Sequence, residues 1–170
     1  MVVVDGESFL RYLKLFCRKV DIAVLKPAER AAAKWGLPEA QLAALRFVHR
    51  NQGCLLGDVA TALGISPPAA TRLIDRLEEK GLVDRGLKEG DRRAFSLTVS
   101  PEGERAAASI DAIEGRAVEE LLGSLTKEER RLVWRAMELV IAADEMAPEG
   151  LCLHCGDAHD PTCIVERLTD

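Results

Sequence analysis

Residues 63–85 read LGISPPAATRLIDRLEEKGLVDR. Gly64 stands where a left-handed cap ends a short helix over residues 56–63. Ser66 is placed to N-cap a second helix, and Pro67 at its first position loses nothing by lacking an N–H. Ala70, Leu73, Ile74 and Leu77 recur at helical spacing as an inward stripe, and Gly81 ends the helix. Two short helices joined by a turn containing glycine predict a helix-turn-helix.

The flanks extend this unit in both directions. Residues 82–100, LVDRGLKEGDRRAFSLTVS, change to a strand pattern with arms at 82–88 and 93–99 around the turn KEGD, so a β-hairpin wing follows the second helix. Ser100-Pro101 opens a long helix to about residue 122, and Thr126 with Glu129 forms a capping box for another, which Pro148 and Gly150 end. Upstream, Phe9, Leu10, Leu13, Phe16, Cys17, Val20 and Val24 give residues 6–34 helical periodicity, with Pro27 as a kink or break. Pro38 opens a buried helix carrying Leu42, Leu45, Phe47 and Val48, which Gly53 stops. The fold expected is mainly α with a small β-hairpin wing.

Composition narrows the function. With 170 residues, 48% apolar and 30% charged, the chain is long enough for a substantial core and too apolar to be disordered. Aromatic residues are only 4%, which argues against a single-strand binder built on stacking platforms. There is no run of about 18 apolar residues to span a bilayer, and the opening MVVVDGESF is too short and too soon acidic for a signal peptide. A cytoplasmic protein with no membrane partner is therefore expected. The net charge of −5 does not exclude DNA, because residues 144–170 hold seven acids against one base, Arg167. The remaining body is close to neutral and can carry a local basic face. There is no Gly-rich phosphate loop, no His-Glu-x-x-His and no serine in a nucleophile elbow, so an enzyme is not expected.

The order of elements, with LGISPPAATRLIDRLEEKGLVDR and the later stretch GDRRAFSLTVSPEGE (90–104), resembles the MarR family of winged-helix transcription regulators over residues 8–146. The second stretch is similar to that family's wing signature: an Asp, an Arg two residues later, Leu-Thr, and a Pro-Glu-Gly helix start. The resemblance implies an N-terminal dimerisation region (1–34), a DNA-binding domain (35–100), C-terminal dimerisation helices (101–147) and an appended tail (148–170). It further implies a two-fold homodimer on a pseudo-palindromic operator in double-stranded DNA, acting more as a repressor than an activator. The stretch 117–141, AVEELLGSLTKEERRLVWRAMELVI, agrees, with more apolar surface than a lone helix pair hides.

A helix laid in the major groove presents small or polar side chains near its N-terminus. Here these are Ser66, Pro67, Pro68, Ala69, Thr71 and Arg72. Ser66 and Thr71 can donate to phosphates or bases, Arg72 or Arg76 can reach guanine or phosphate, and Pro68 and Ala69 offer only apolar contact, as to a thymine methyl. Few direct base hydrogen bonds and a larger share of shape readout are expected. The resemblance places Arg93 at the wing tip in the minor groove, oriented by Asp91; Arg92, Lys88 and Arg85 are phosphate candidates. Seven bases and six acids fall between residues 72 and 93, so the two signs must segregate onto different faces. Tyr12, Phe16, Trp35 and His49 are candidates to line a small-molecule effector pocket, with core packing the competing role.

The tail carries its own chemistry in CLHCGDAHDPTC, residues 152–163. Cys152, Cys155, Cys163 and His159 make a tetrahedral zinc set. Alternatively, the three cysteines with an external ligand, for which Cys17 is a candidate, would hold an iron–sulfur cluster. A thiol switch and an inert end are the other readings, although the surrounding acids suit a cation better than a low-pKa thiolate. On the opposing view of the whole chain, it is a metal- or redox-binding module whose helix-turn-helix serves protein interaction.

Overall fold

The computed structural model describes residues 5–88 and 91–142, and the side chains of 5–86 and 95–142. Seven α-helices and three short strands follow in the order α1 (Gly6–Val20), α2 (Lys26–Lys34), α3 (Glu39–Arg50), β1 (Cys54–Leu55), α4 (Leu56–Ala62), α5 (Pro67–Glu79), β2 (Val83–Lys88), β3 (Asp91–Val99), α6 (Pro101–Leu122) and α7 (Lys127–Ala142). Among the described residues no helix is long and apolar enough to cross a membrane.

The first helical segment does not simply break at Pro27. A π-helical turn, Asp21–Leu25, joins α1 to α2. Proline cannot donate to the carbonyl four residues back, and its ring crowds that turn; widening the turn just before it lets the chain pass without ending the helix.

The core forms where α2 to α6 converge on the sheet. Ala32 of α2, Leu45 and Val48 of α3, Val59 of α4, Ile74 and Leu77 of α5, Val83 of β2, Leu97 of β3 and Ile110 of α6 are almost wholly buried, with Leu82 between α5 and β2. All four apolar positions read from α3 (Leu42, Leu45, Phe47 and Val48) are buried. In α5, Ala70, Ile74 and Leu77 are buried and Leu73 packs at the edge.

The sheet has the order β1-β3-β2 and is antiparallel throughout. β2 and β3 pair as the predicted hairpin, from Val83 opposite Val99 to Lys88 opposite Asp91, with an irregularity between Leu87 and Lys88. The sequence pattern missed β1, whose two residues Cys54 and Leu55 pair with Leu97 and Ser96.

Two caps differ in an instructive way. Thr126 and Glu129 make the predicted capping box: the Glu129 carboxylate accepts from the Thr126 N–H at 2.7 Å, and the Glu129 N–H donates to the Thr126 hydroxyl at 3.3 Å. Ser66 occupies the N-cap of α5, but its hydroxyl makes no capping bond. Pro67 and Pro68 bring no N–H, and the Ala69 N–H donates instead to the Ser66 carbonyl at 2.9 Å, so the hydroxyl has nothing to accept.

Candidate nucleic-acid interface

The helix-turn-helix consists of α4 and α5, joined by Gly64, whose φ of 60° lies in the left-handed region that glycine tolerates. The Ile65 N–H donates to the Ala60 carbonyl at 3.0 Å, closing the turn. The buried stripe of α5 faces the core, so the first turns present Ser66, Pro67, Pro68 and Arg72 exposed, with Ala69 and Thr71 half-buried beside them. The Thr71 hydroxyl donates to the Pro67 carbonyl at 3.0 Å, which ties its proton to its own helix.

The charges of this region do segregate in part. Arg85 on β2 donates to Asp75 of α5, and its Nε lies 3.2 Å from Glu78, too poorly aligned for a hydrogen bond. This clamp joins the second helix to the wing, offsets one of the two negative charges of Asp75 and Glu78, and holds Arg85 itself away from a simple phosphate role. Lys80 is likewise drawn inward, to the Gly36 carbonyl and to Gln41 at 2.5 Å. Arg76 pairs with Glu79 at 2.7 Å on an exposed face, where such a pair contributes only about 0.5 kcal/mol and can open. Arg72 is exposed and forms no ion pair among the described residues. The backbone of β3 starts at Asp91, so Asp91, Arg92 and Arg93 lie at the hairpin end of the wing beside Lys88. The roles expected for their side chains fall outside the described residues.

Two polar joints, not visible in the sequence pattern, hold this head on α6. Gln52 accepts from the Val99 N–H at 3.1 Å and donates to Glu104 and to the His49 carbonyl, both at 3.3 Å. Ser100 accepts from the Gly103 N–H at 3.0 Å and donates to the Gly81 carbonyl at 2.5 Å. Farther along, Arg46 of α3 meets Asp111 at 3.1 Å and Glu114 at 2.5 Å.

The four effector-pocket candidates sit on or beside different helices. Tyr12 and Phe16 project from α1, with Tyr12 74% exposed. Trp35 packs against the core and donates to Ser109 of α6 at 3.1 Å. His49 places Nδ1 3.4 Å from the Glu104 carboxylate without hydrogen-bond alignment. A cavity of about 270 Å³ lies elsewhere, beside the wing, lined by Leu55, Leu56, Gly57, Arg85, Phe95 and Leu97. Of the metal candidates, Cys17 is an exposed free thiol on α1. Cys152, Cys155, His159 and Cys163 lie outside the described residues, and among the described residues no cluster of His, Cys, Asp and Glu is arranged to hold an ion.

A helix-turn-helix with an outward second helix and a two-stranded hairpin clamped to it is a winged helix-turn-helix. Residues 35–94, which contain the helix-turn-helix and the hairpin as far as the first residues of β3, match the model of the MarR family. The HTH-type transcriptional regulator BilQ of Clostridioides difficile is 32% identical over 100 residues, covering 59% of this chain and 60% of that protein. The chain spans about three fifths of the length of the curated relatives it matches. Among solved structures, the YusO protein from Bacillus subtilis is similar with a TM-score of 0.68 at 22% identity, covering 83% of this chain and 100% of that one. FabT of Streptococcus pneumoniae, solved in complex with DNA, gives a TM-score of 0.66 at 16% identity, with 81% and 95% covered. These likenesses establish the winged-helix fold for the described chain.

Proposed function

We propose that the protein is a MarR-type transcriptional regulator, a repressor that binds a pseudo-palindromic operator as a homodimer. The observation that carries this reading is the outward first turn of α5 beside a wing clamped through Arg85. That geometry offers a helix to the major groove and a hairpin, with Arg93 near its tip, to the adjacent minor groove. The apolar residues that α1 and α7 leave exposed among the described residues support the homodimer.

The signal that releases DNA is assigned to the tail, on the spacing of Cys152, Cys155, His159 and Cys163. The set suits zinc or, with a fourth ligand, an iron–sulfur cluster. A bound ion next to the dimerisation helices would bias the separation of two DNA-reading heads.

Fluorescence anisotropy with a duplex from the protein's own promoter region, run across a salt series with and without a chelator, tests both parts. Binding that falls steeply with salt, and an affinity that changes on chelation, are the expected results. No binding at any salt overturns the regulator reading in favour of a metal- or redox-binding module with a protein-interaction helix-turn-helix. Salt-dependent binding indifferent to chelation overturns the metal signal alone.

A further inference from the structure

The first turns of α5 hold an unusually short inventory of hydrogen-bonding groups. Pro67 and Pro68 have no N–H, and the Ala69 and Ala70 N–H groups both donate to the Ser66 carbonyl, at 2.9 and 3.0 Å. The backbone N–H groups that normally make a helix start grip an anion are therefore missing or used. The Thr71 proton is bonded to the Pro67 carbonyl. Asp75 and Glu78 are turned to Arg85, and Arg76 to Glu79. What remains exposed here is Ser66, Pro67, Pro68 and Arg72, with the small side chains of Ala69 and Thr71 half-buried beside them.

Each of these groups has a natural counterpart on a base edge. A guanidinium matches the paired acceptors O6 and N7 of guanine, and the apolar group in the major groove is the C5-methyl of thymine. A serine hydroxyl both donates and accepts, so it discriminates little. Resting on the DNA-binding reading above, we infer that α5 reads each half-site through one guanine, held by Arg72, flanked by thymines whose methyl groups pack on Pro68, Ala69 and Thr71. Specificity then comes from methyl groups and one bidentate contact rather than from a row of polar side chains.

The test begins by selecting duplexes from a random pool with the full chain. In the selected site each thymine is replaced in turn by deoxyuridine, which removes only the methyl, and each guanine by 7-deazaguanine, which removes only N7. Deoxyuridine at two or more positions per half-site should weaken binding about three- to fivefold each. 7-Deazaguanine at one position should weaken it about tenfold. Arg72→Ala, at an exposed position that leaves the core intact, should bind more weakly and become indifferent to that one 7-deazaguanine. Sequence-selective binding in which every deoxyuridine is within about twofold of thymine overturns the inference, as does a 7-deazaguanine effect that persists in Arg72→Ala. Failure to select any duplex is a different result, and overturns the regulator reading itself.

Discussion

Cys54 shows how a single position can close off a route for a signal. It sits on β1, half-buried against the core, and burial, with the Asp58 carboxylate second, pushes its thiol up to about 11. The thiolate is the reactive form, so at pH 8 only about one molecule in a thousand carries it. Alkylation of the folded protein at pH 8, followed by peptide mapping, should label exposed Cys17 and leave Cys54 unmodified until denaturant is added. Equal labelling of the two would show that the β1 pairing does not protect the thiol. Of the two described cysteines, Cys17 is the one exposed to a reagent. Arg85 carries the opposite lesson for the candidate site. As a basic residue at the foot of a wing it has the marks of a phosphate contact, and nothing local shows that Asp75, ten positions earlier, takes it. Arg72 was legible because its helix face follows from spacing alone. Whether a charge stays available depends on partners that only the fold brings near.

Among the elements, the start of α6 sets where the wing hands the chain back to the body. Its N-cap Ser100 is held by both neighbours, and a Cβ added at Gly103 would lie 2.0 Å from the Leu82 carbonyl oxygen. That atom is backbone and cannot swing aside, so Gly103→Ala should destabilise by about 3 kcal/mol, at the upper end for overpacking. In a chain this size the melting temperature would fall by about 6–12 °C. Gly115 lies in the same helix with open space around it, and Gly115→Ala should raise stability by about 0.5–1 kcal/mol. Thermal denaturation of the two variants checks the pair, and a like sign for both would remove the close approach as the cause. The Pro-Glu-Gly start of α6 was readable as a helix start, but the need for glycine was not, because Leu82 meets it only after the hairpin has folded back. The end expected for α7 at Pro148 and Gly150 lies outside the described residues, but elements written in caps and breakers, such as α3, α4, α5, the hairpin and the start of α7, were legible from the chain. β1 was not, since two residues carry no periodicity and their pairing with Leu97 and Ser96 is a tertiary event. The π-helical turn before Pro27 was half-legible: the proline announces a disturbance but not whether the helix breaks or widens.

At the scale of the whole molecule, the described helices α2 to α6 bury their apolar faces, while α1 and α7 do not. Neither α1 nor α7 contributes a buried residue, yet α1 exposes Phe9, Leu13 and Phe16 along one stripe, and α7 exposes Leu132, Trp134, Met137, Leu139 and Val140. Helices of 15 and 16 residues are about 22–24 Å long, and both leave large apolar side chains exposed along that length. An isolated helix with such a face is only marginally stable in water, and most of its stability must come from packing. In the proposed homodimer a second copy would supply that packing symmetrically, around a two-fold axis, and a stable interface of that kind buries about 1,200–2,000 Å². Wild-type chain, 18.6 kDa, should therefore sediment at about twice that mass. Phe16→Glu combined with Leu139→Glu places two charges in the shared face, where burial without a partner is strongly unfavourable, and should yield a monomer. The core of α2 to α6 does not draw on either residue, so the variant should keep a cooperative melting transition while losing part of its helical signal. Operator affinity should fall by well over tenfold, because two linked heads bind far more tightly than one. A wild-type protein that sediments as a monomer at micromolar concentration, or a double variant that stays dimeric, would show that these faces serve another partner.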